Sequence, residues 1–300
     1  MDMTQNKCCR RGANLRRRRR RRRKILRSII FSCSIIAVAV FVAVGSSMIR
    51  SGDGRTNRYD VEAGNNTYDN AVIENSKISE KNKIQNNQSM LDDIMNSTQY
   101  PKQLKDLALK NEEALEFVYD YPAEHVKEHT IDLTEEASMD SVPLFVQWDK
   151  RWGYEKYSGN FFAASGCGPT TLSMVVVYLT HNRDASPIAV AKYSKEAGYS
   201  VDRSGSSWTL ISEGCMHYGV KAKAVALDES RMKAEIDEGH PIVVNVGPGD
   251  FTDTGHFMVI TGYDDEGFSI NDPNSIEKSG KRWLFKNISS QIRAVWSMYV

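Results

Sequence analysis

Apolar positions along the chain fall into three regimes, and each predicts a different kind of element. Between Arg27 and Arg50 lie 22 residues without a charge, mostly Ile, Val, Ala and Phe. At about 1.5 Å per residue a helix of that length reaches roughly 33 Å, enough for the hydrocarbon core of a bilayer. From Pro101 onward Leu104, Leu107, Ala108, Leu115 and Val118 recur at helical spacing, which predicts a docking helix that Pro122 ends. Beyond residue 141 helical and strand patterns follow one another. A helix is predicted from the Gly166-Cys167-Gly168-Pro169 turn through Leu172, Val175, Val176 and Leu179. Ser186 and Pro187 supply the N-cap and first-turn proline of a second, closed by Gly198. Residues 208–218 and 228–238 predict two more, ended by Gly219 and Gly239. Strand-like runs then occupy 241–246, 256–263 and 268–272. Helices first and strands afterwards make an α+β domain rather than an alternating parallel one.

Composition separates these regimes further. Residues 51–97 hold nine Asn, many Ser, Asp and Lys, and few large apolar side chains, which predicts a flexible stalk. Residues 130–141 are acidic and read as a connecting loop. The expected division is therefore a basic tip (1–27), a transmembrane signal-anchor helix (28–49), an extracellular stalk (50–97), a helical extension (98–140) and one compact domain (141–300).

The formal net charge of +1 conceals the polarity of the chain. Residues 1–27 carry thirteen Lys or Arg against the single acid Asp2, a charge of +12, and the remainder carries −11. A basic flank stays cytoplasmic, so the N-terminus is predicted inside and everything after Ser51 outside. Ala43 and Gly45 are small enough for signal-peptide cleavage, which would give a secreted protein. The apolar stretch is longer than an ordinary signal core, which favours an uncleaved anchor. The arginine run is then topogenic, with contact to anionic lipid headgroups as a by-product. A specific nucleic-acid partner is not expected, because that role would leave the whole outer body unexplained.

Topology also sorts the five cysteines, at positions 8, 9, 33, 167 and 215. Only Cys167 and Cys215 fall outside, so a disulfide scaffold is excluded. No Cys-x-x-Cys zinc pattern exists, and neither a metal nor another cofactor is expected.

Cys167 carries the chemical signal. Flanking glycines allow a sharp turn and close approach of a substrate, and Pro169 suits the first turn of a helix. A thiol at a helix N-terminus feels the positive end of the dipole, which favours the thiolate. A small buried hydrophobe is the plainer alternative for a free cysteine. A thiolate nucleophile needs an imidazole. Of six histidines, His256 alone stands at the mouth of an apolar strand, Phe257-Met258-Val259-Ile260, where a ring is held rigidly yet faces a cleft. An orienting acceptor is required next. Strand alternation puts Asp272 on the face of Phe268 and Ile270, where a carboxylate is costly unless paired, and Asn271 on the opposite face. Asp272 is the better orienter, although Asp-Pro also forms ordinary turns. Gln147 has a side-chain amide that can join the Cys167 N–H as oxyanion donor.

The order Gln, Cys at a helix start, His, then Asp resembles papain-like cysteine peptidases. More closely, QWDKRWGY (147–154), SGCGPTTLSMV (165–175), GDFTDTGHFMVITGYD (249–264) and INDPNS (270–275) resemble the extracellular branch of the bacteriocin-processing, double-glycine-leader peptidase family, cysteine peptidase family thirty-nine. The resemblance extends to 207–214 and 101–122. It implies a papain-like fold: a helical half opened by the nucleophile helix, packed on an antiparallel sheet carrying His and Asp. It implies Gln147 as oxyanion donor, Cys167 as nucleophile, His256 as acid and base, Asp272 as orienter, and a peptide as substrate. No transporter or ATPase segment is attached, so the double-glycine leader does not follow as substrate. A cell-wall amidase or peptidoglycan endopeptidase acting on wall peptides, and a non-catalytic surface binding module, are the alternatives on the same fold.

Overall fold

Alternation of apolar residues between two faces builds the centre of the fold, a six-stranded antiparallel sheet. Its strands are β1 (Lys221–Ala224), β2 (Ile242–Val246), β3 (His256–Asp264), β4 (Gly267–Asn271), β5 (Arg282–Trp283) and β6 (Ile292–Tyr299), in spatial order β1-β6-β2-β3-β4-β5. Val246 stands opposite His256 and Ile242 opposite Ile260 across β2 and β3. The computed structural model describes residues 66–300, with side chains from residue 80 onward. The basic tip and the apolar span 28–49 lie outside the described residues. Among the described residues no helix is long and apolar enough to cross a membrane. Residues 71–300 make one compact unit; the other, 1–70, lies almost wholly outside the described residues.

Among the described residues five helices have nine residues or more: α1 (Asn66–Asn96), α2 (Lys102–Lys110), α3 (Cys167–Thr180), α4 (Pro187–Glu196) and α5 (Glu229–Asp237). On one face of the sheet Val243, Phe257, Val259, Trp296 and Met298 pack with Leu172, Val175 and Val176 of α3. On the other, Val244, Met258, Ile260, Ile270 and Val295 pack with Met232 of α5 and with Ile288. The mixed helix and antiparallel-sheet class expected from the pattern is the one observed. α3 is buried continuously from Gly168 to Val177, which explains why it is apolar all round rather than amphipathic. Truncating a fully buried leucine there, such as Leu172, costs about 2–5 kcal/mol.

Ser186 and Asp228 cap α4 and α5, accepting from the amides of Ala189 and Arg231. Gly198, Gly219 and Gly239 take left-handed φ of 82°, 74° and 86°, as their places after helical runs require.

Several elements differ from expectation. The stretch read as a flexible stalk contains α1, whose sequence has neither Gly nor Pro and whose last turns bring Met90, Leu91 and Ile94 against Leu104 and Leu107. The docking helix is broken: α2 stops at Asn111, whose extended backbone and side-chain bond to the Glu113 amide start a new 3₁₀ turn. Pro122 does not end that run but sits in the first turn of a short helix, Tyr121–Glu124. The acidic loop holds a short helix, Thr134–Ser138, because Leu133 and Ala137 reach the core. The third predicted helix is two short pieces, Thr209–Ser212 and Gly214–Tyr218; at Gly214 the Tyr199 ring and Leu210 leave little room for a side chain. Strands β1, β5 and β6 were not expected. β6 is buried on both faces through Val295–Met298, with Trp296 and Met298 in one core and Val295 in the other, so it lacks the clean alternation that marks a half-exposed strand.

Candidate active site

The turn at Gly166 delivers Cys167 as the first residue of α3. No side chain caps this end; the Thr170 amide bonds the Gly166 carbonyl at 3.0 Å instead. Gly168 is required by proximity, since a Cβ there would lie 2.5 Å from the Ser206 hydroxyl oxygen. One helical turn on, buried Thr171 donates to the Phe257 carbonyl at 3.1 Å and fixes α3 against β3. That bond sets the register that brings Cys167 to His256.

His256 opens β3 and is 6% exposed; Asp272, just past β4, is fully buried. The His256 Nε2–H donates to Asp272 Oδ1 at 2.7 Å. β4 alternates as its sequence demands: Phe268 and Ile270 are buried on the side of Asp272, whereas Asn271 turns its amide to the carbonyls of Val142 and Pro143. The Asn274 amide donates to the same Asp272 Oδ1 at 2.8 Å, and the Asp272 amide donates to Ser279 Oγ at 2.9 Å. Asp272 Oδ2 is buried without a hydrogen-bond partner, so the imidazole is the group that balances the carboxylate's charge.

Cys167 is partly accessible, and the His256 ring is near enough to act on its thiol. Burial pushes that thiol up, but the His256 ring, its charge and the backbone groups of Phe257 and Gly168 outweigh burial and bring it below the ordinary thiol range. Burial likewise lowers His256, while the charge and hydrogen bond of Asp272, then those of Cys167, raise it well above the usual imidazole value. Both shifts favour one arrangement, a thiolate beside an imidazolium.

Gln147 is 5% exposed. Its backbone N–H donates to the Pro273 carbonyl at 2.7 Å and its Nε2 to the Ala163 carbonyl at 2.7 Å, while Oε1 is buried without a partner. Its bonds thus reach the Asp272 turn and the approach to α3 rather than Cys167 itself. Cys215, in contrast, is fully buried, and burial pushes its thiol up to about 11.

Two supporting features escaped sequence reasoning. Thr171 is one; the Thr170-Thr171 pair inside an otherwise apolar helix was its signal. Tyr157 is the other, its hydroxyl bonding Ser194 at 2.8 Å and Ser206 at 2.6 Å beneath the start of α3. A cavity of about 380 Å³ lies away from the cysteine, lined by Glu124, His129, Lys150, Arg151 and Tyr154 among others. Lys127, Lys150 and Arg151, the lysines and arginine lining it, are already paired, with Glu124, with Asp120, and with Asp149 and Glu136. Among the described residues no cluster of His, Cys, Asp and Glu could hold a metal ion.

A family model described as the Peptidase_C39 like family matches residues 139–300, more than half of the chain. The chain belongs to the Peptidase_C39 like family. Within this Peptidase_C39 like segment lie Cys167, His256, Asp272 and Gln147. A solved structure of the peptidase domain of Streptococcus ComA, a bifunctional ABC transporter involved in a quorum-sensing pathway, is 19% identical. It covers 53% of this chain and 96% of its own, with a TM-score of 0.39. A protein from Bacillus anthracis described as a C39-like peptidase is 18% identical over 53% of this chain and 95% of its own, with a TM-score of 0.33. Comparison with curated proteins gives no match.

Proposed function

We propose that this protein is a membrane-anchored extracellular cysteine peptidase of papain-like design, with 28–49 as anchor and 141–300 as peptidase domain. The observation that carries the reading is the buried His256–Asp272 bond, set beside the Cys167 thiol at the start of α3. A surface binder has no use for a thiolate beside an imidazolium, and a structural cysteine needs no charged partner.

The Cys167 thiolate attacks the carbonyl carbon of a peptide bond, and its electron pair moves onto the oxygen. The Cys167 N–H and the second N–H of the Gln147 side chain, the one not given to Ala163, hold that oxyanion. His256 gives its Nδ1 proton to the leaving amine, leaving a thioester on Cys167. The same nitrogen then takes a proton from water, whose oxygen releases the acid and restores the thiol pair. Asp272 holds the ring through Nε2 during both transfers.

The test is labelling and turnover together. Iodoacetamide at pH 7 is expected to modify Cys167 far faster than Cys215, read by peptide mass spectrometry. Comparison of N-termini of surface proteins between wild type and Cys167→Ala should show cuts that vanish in the variant. Equal labelling of the two thiols, or cuts unaffected by the variant, would overturn the proposal.

A further inference from the structure

The turn that follows Asp272 is held by a segment that lies far upstream, outside the family-matched residues 139–300. Asn274 donates its amide to Asp272 Oδ1, the oxygen that also receives His256. The Asn274 carbonyl accepts from Asn111 Nδ2 at 2.9 Å and from Trp148 Nε1 at 3.2 Å, and Asn111 Nδ2 also reaches Asn274 Oδ1 at 3.1 Å. Beside it the Glu113 carboxylate takes three donors. Ser275 Oγ–H bonds Oε1, while the amides of Ile276 and Glu277 bond Oε2 at 2.7 and 3.1 Å. Asn111 in turn accepts the Glu113 amide at 3.0 Å, so the break in the helical extension presents both side chains together.

From this clamp the structure assigns Glu113 and Asn111 as positioning residues for the His256–Asp272 pair, acting through the 274–277 turn. The inference rests on the peptidase reading of that pair, but concerns residues that the pair's own domain does not contain. The carboxylate rotamer of Asp272 follows from where the Asn274 amide points. Holding its own carbonyl and the next three donors steadies that amide, beside the bonds that Trp148 and Gln147 make to the same turn. Charge-assisted bonds to a carboxylate are the stronger kind, so Glu113 is the principal anchor and Asn111 the second. The Asn87 side chain bonds Glu112 at 2.7 Å in the same extension but does not reach the turn, which makes it the natural control.

The experiment uses the full chain with Glu113→Ala, Glu113→Gln, Asn111→Ala and the control Asn87→Ala. Measured are kcat and KM on a peptide cut by wild type, the rate of Cys167 alkylation against pH, and Tm. Glu113→Ala is expected to lower kcat by roughly ten- to a hundredfold with KM little changed. It should also move the alkylation midpoint of Cys167 to higher pH. Glu113→Gln keeps one acceptor and should recover part of both effects, Asn111→Ala should show a smaller version, and Asn87→Ala none. A role confined to stability would lower Tm and leave the alkylation profile in place, and that result overturns the inference. So does an unchanged profile in both Glu113→Gln and Asn111→Ala, should Glu113→Ala not fold. If wild type cut no peptide while Glu113→Ala still moved the alkylation midpoint, positioning would stand and the peptidase reading would fall. The reverse pattern removes positioning alone.

Discussion

His256 Nε2 and Asp272 Oδ1 lie 2.7 Å apart, with the ring almost wholly and the carboxylate fully withdrawn from solvent. The ring's other nitrogen is thereby left for Cys167, and the pair's tautomer is set before any substrate arrives. Asp272→Asn retains an acceptor for Nε2–H but removes the charge that raises His256. kcat/KM should fall by roughly 100-fold. The alkaline limb of its pH profile, where the imidazolium loses its proton, should move to lower pH. An alkaline limb in the wild-type position would break the link between Asp272 and the protonation of His256.

Gln147 differs from these residues because its side-chain amide is tethered to Ala163 and its backbone N–H to Pro273. In the proposed oxyanion-donor role it would act on the transition state rather than on bound substrate. Gln147→Ala should therefore reduce kcat by about 10²–10³-fold with KM nearly constant in steady-state assays. A rise in KM with kcat preserved would assign Gln147 to substrate binding.

Gly168 tests how tightly the start of α3 is packed. A methyl there would press within 2.5 Å of Ser206 Oγ and 2.8 Å of Ser206 Cβ, and Ser206 is itself bonded to Tyr157. Gly168→Ala should cost about 1–3 kcal/mol of stability in denaturant unfolding, because the Ser206 side of the site has to move. Cys167 alkylation should slow in parallel. Unchanged stability would show that the Ser206 segment yields freely.

Glu235 offers a pH test of stability away from the site. Its bond to His240 at 3.0 Å, offset by burial and aided by Ser297 and Lys223, holds its carboxyl down near 2. A carboxyl lowered on folding stabilises fully above its unfolded value near 4.5, and that contribution fades as pH falls toward 2. Glu235→Gln should lower Tm at pH 6, with the gap from wild type narrowing between pH 5 and pH 3. A gap constant with pH would mean that packing, not charge, is what the substitution removes.

The α+β class and the cap of α4 were legible because local rules decide them: Ser186 before a proline, and glycines where the chain turns left-handed. The side on which Asp272 lies was legible because a strand has a period of two. What the sequence hid was decided by distant partners. β6 lacks alternation because both faces of the sheet are covered there, Trp296 and Met298 packing in one core and Val295 in the other. α1 reads as polar coil until Met90, Leu91 and Ile94 find Leu104 and Leu107. Asn111 looks like one more residue in a helical run, until its side chain caps the Glu113 amide and reaches the turn 163 residues later. Thr171 sat in plain view, but its acceptor, the Phe257 carbonyl, belongs to a strand 86 positions away.

The place of β6 in the sheet has a consequence for the order of assembly. Of the six strands it is synthesised after all the others, yet it sits between β1 and β2, and β2 is the strand on which His256-bearing β3 is laid. Until β6 is inserted, β2 has an open edge and β1 has no neighbour. A nascent chain can therefore hold Cys167, His256 and Asp272 and still lack the completed sheet that keeps them in register. The pairing of β2 is thus completed by the last-made of the six strands, and a chain halted before residue 292 holds Cys167, His256 and Asp272 without it.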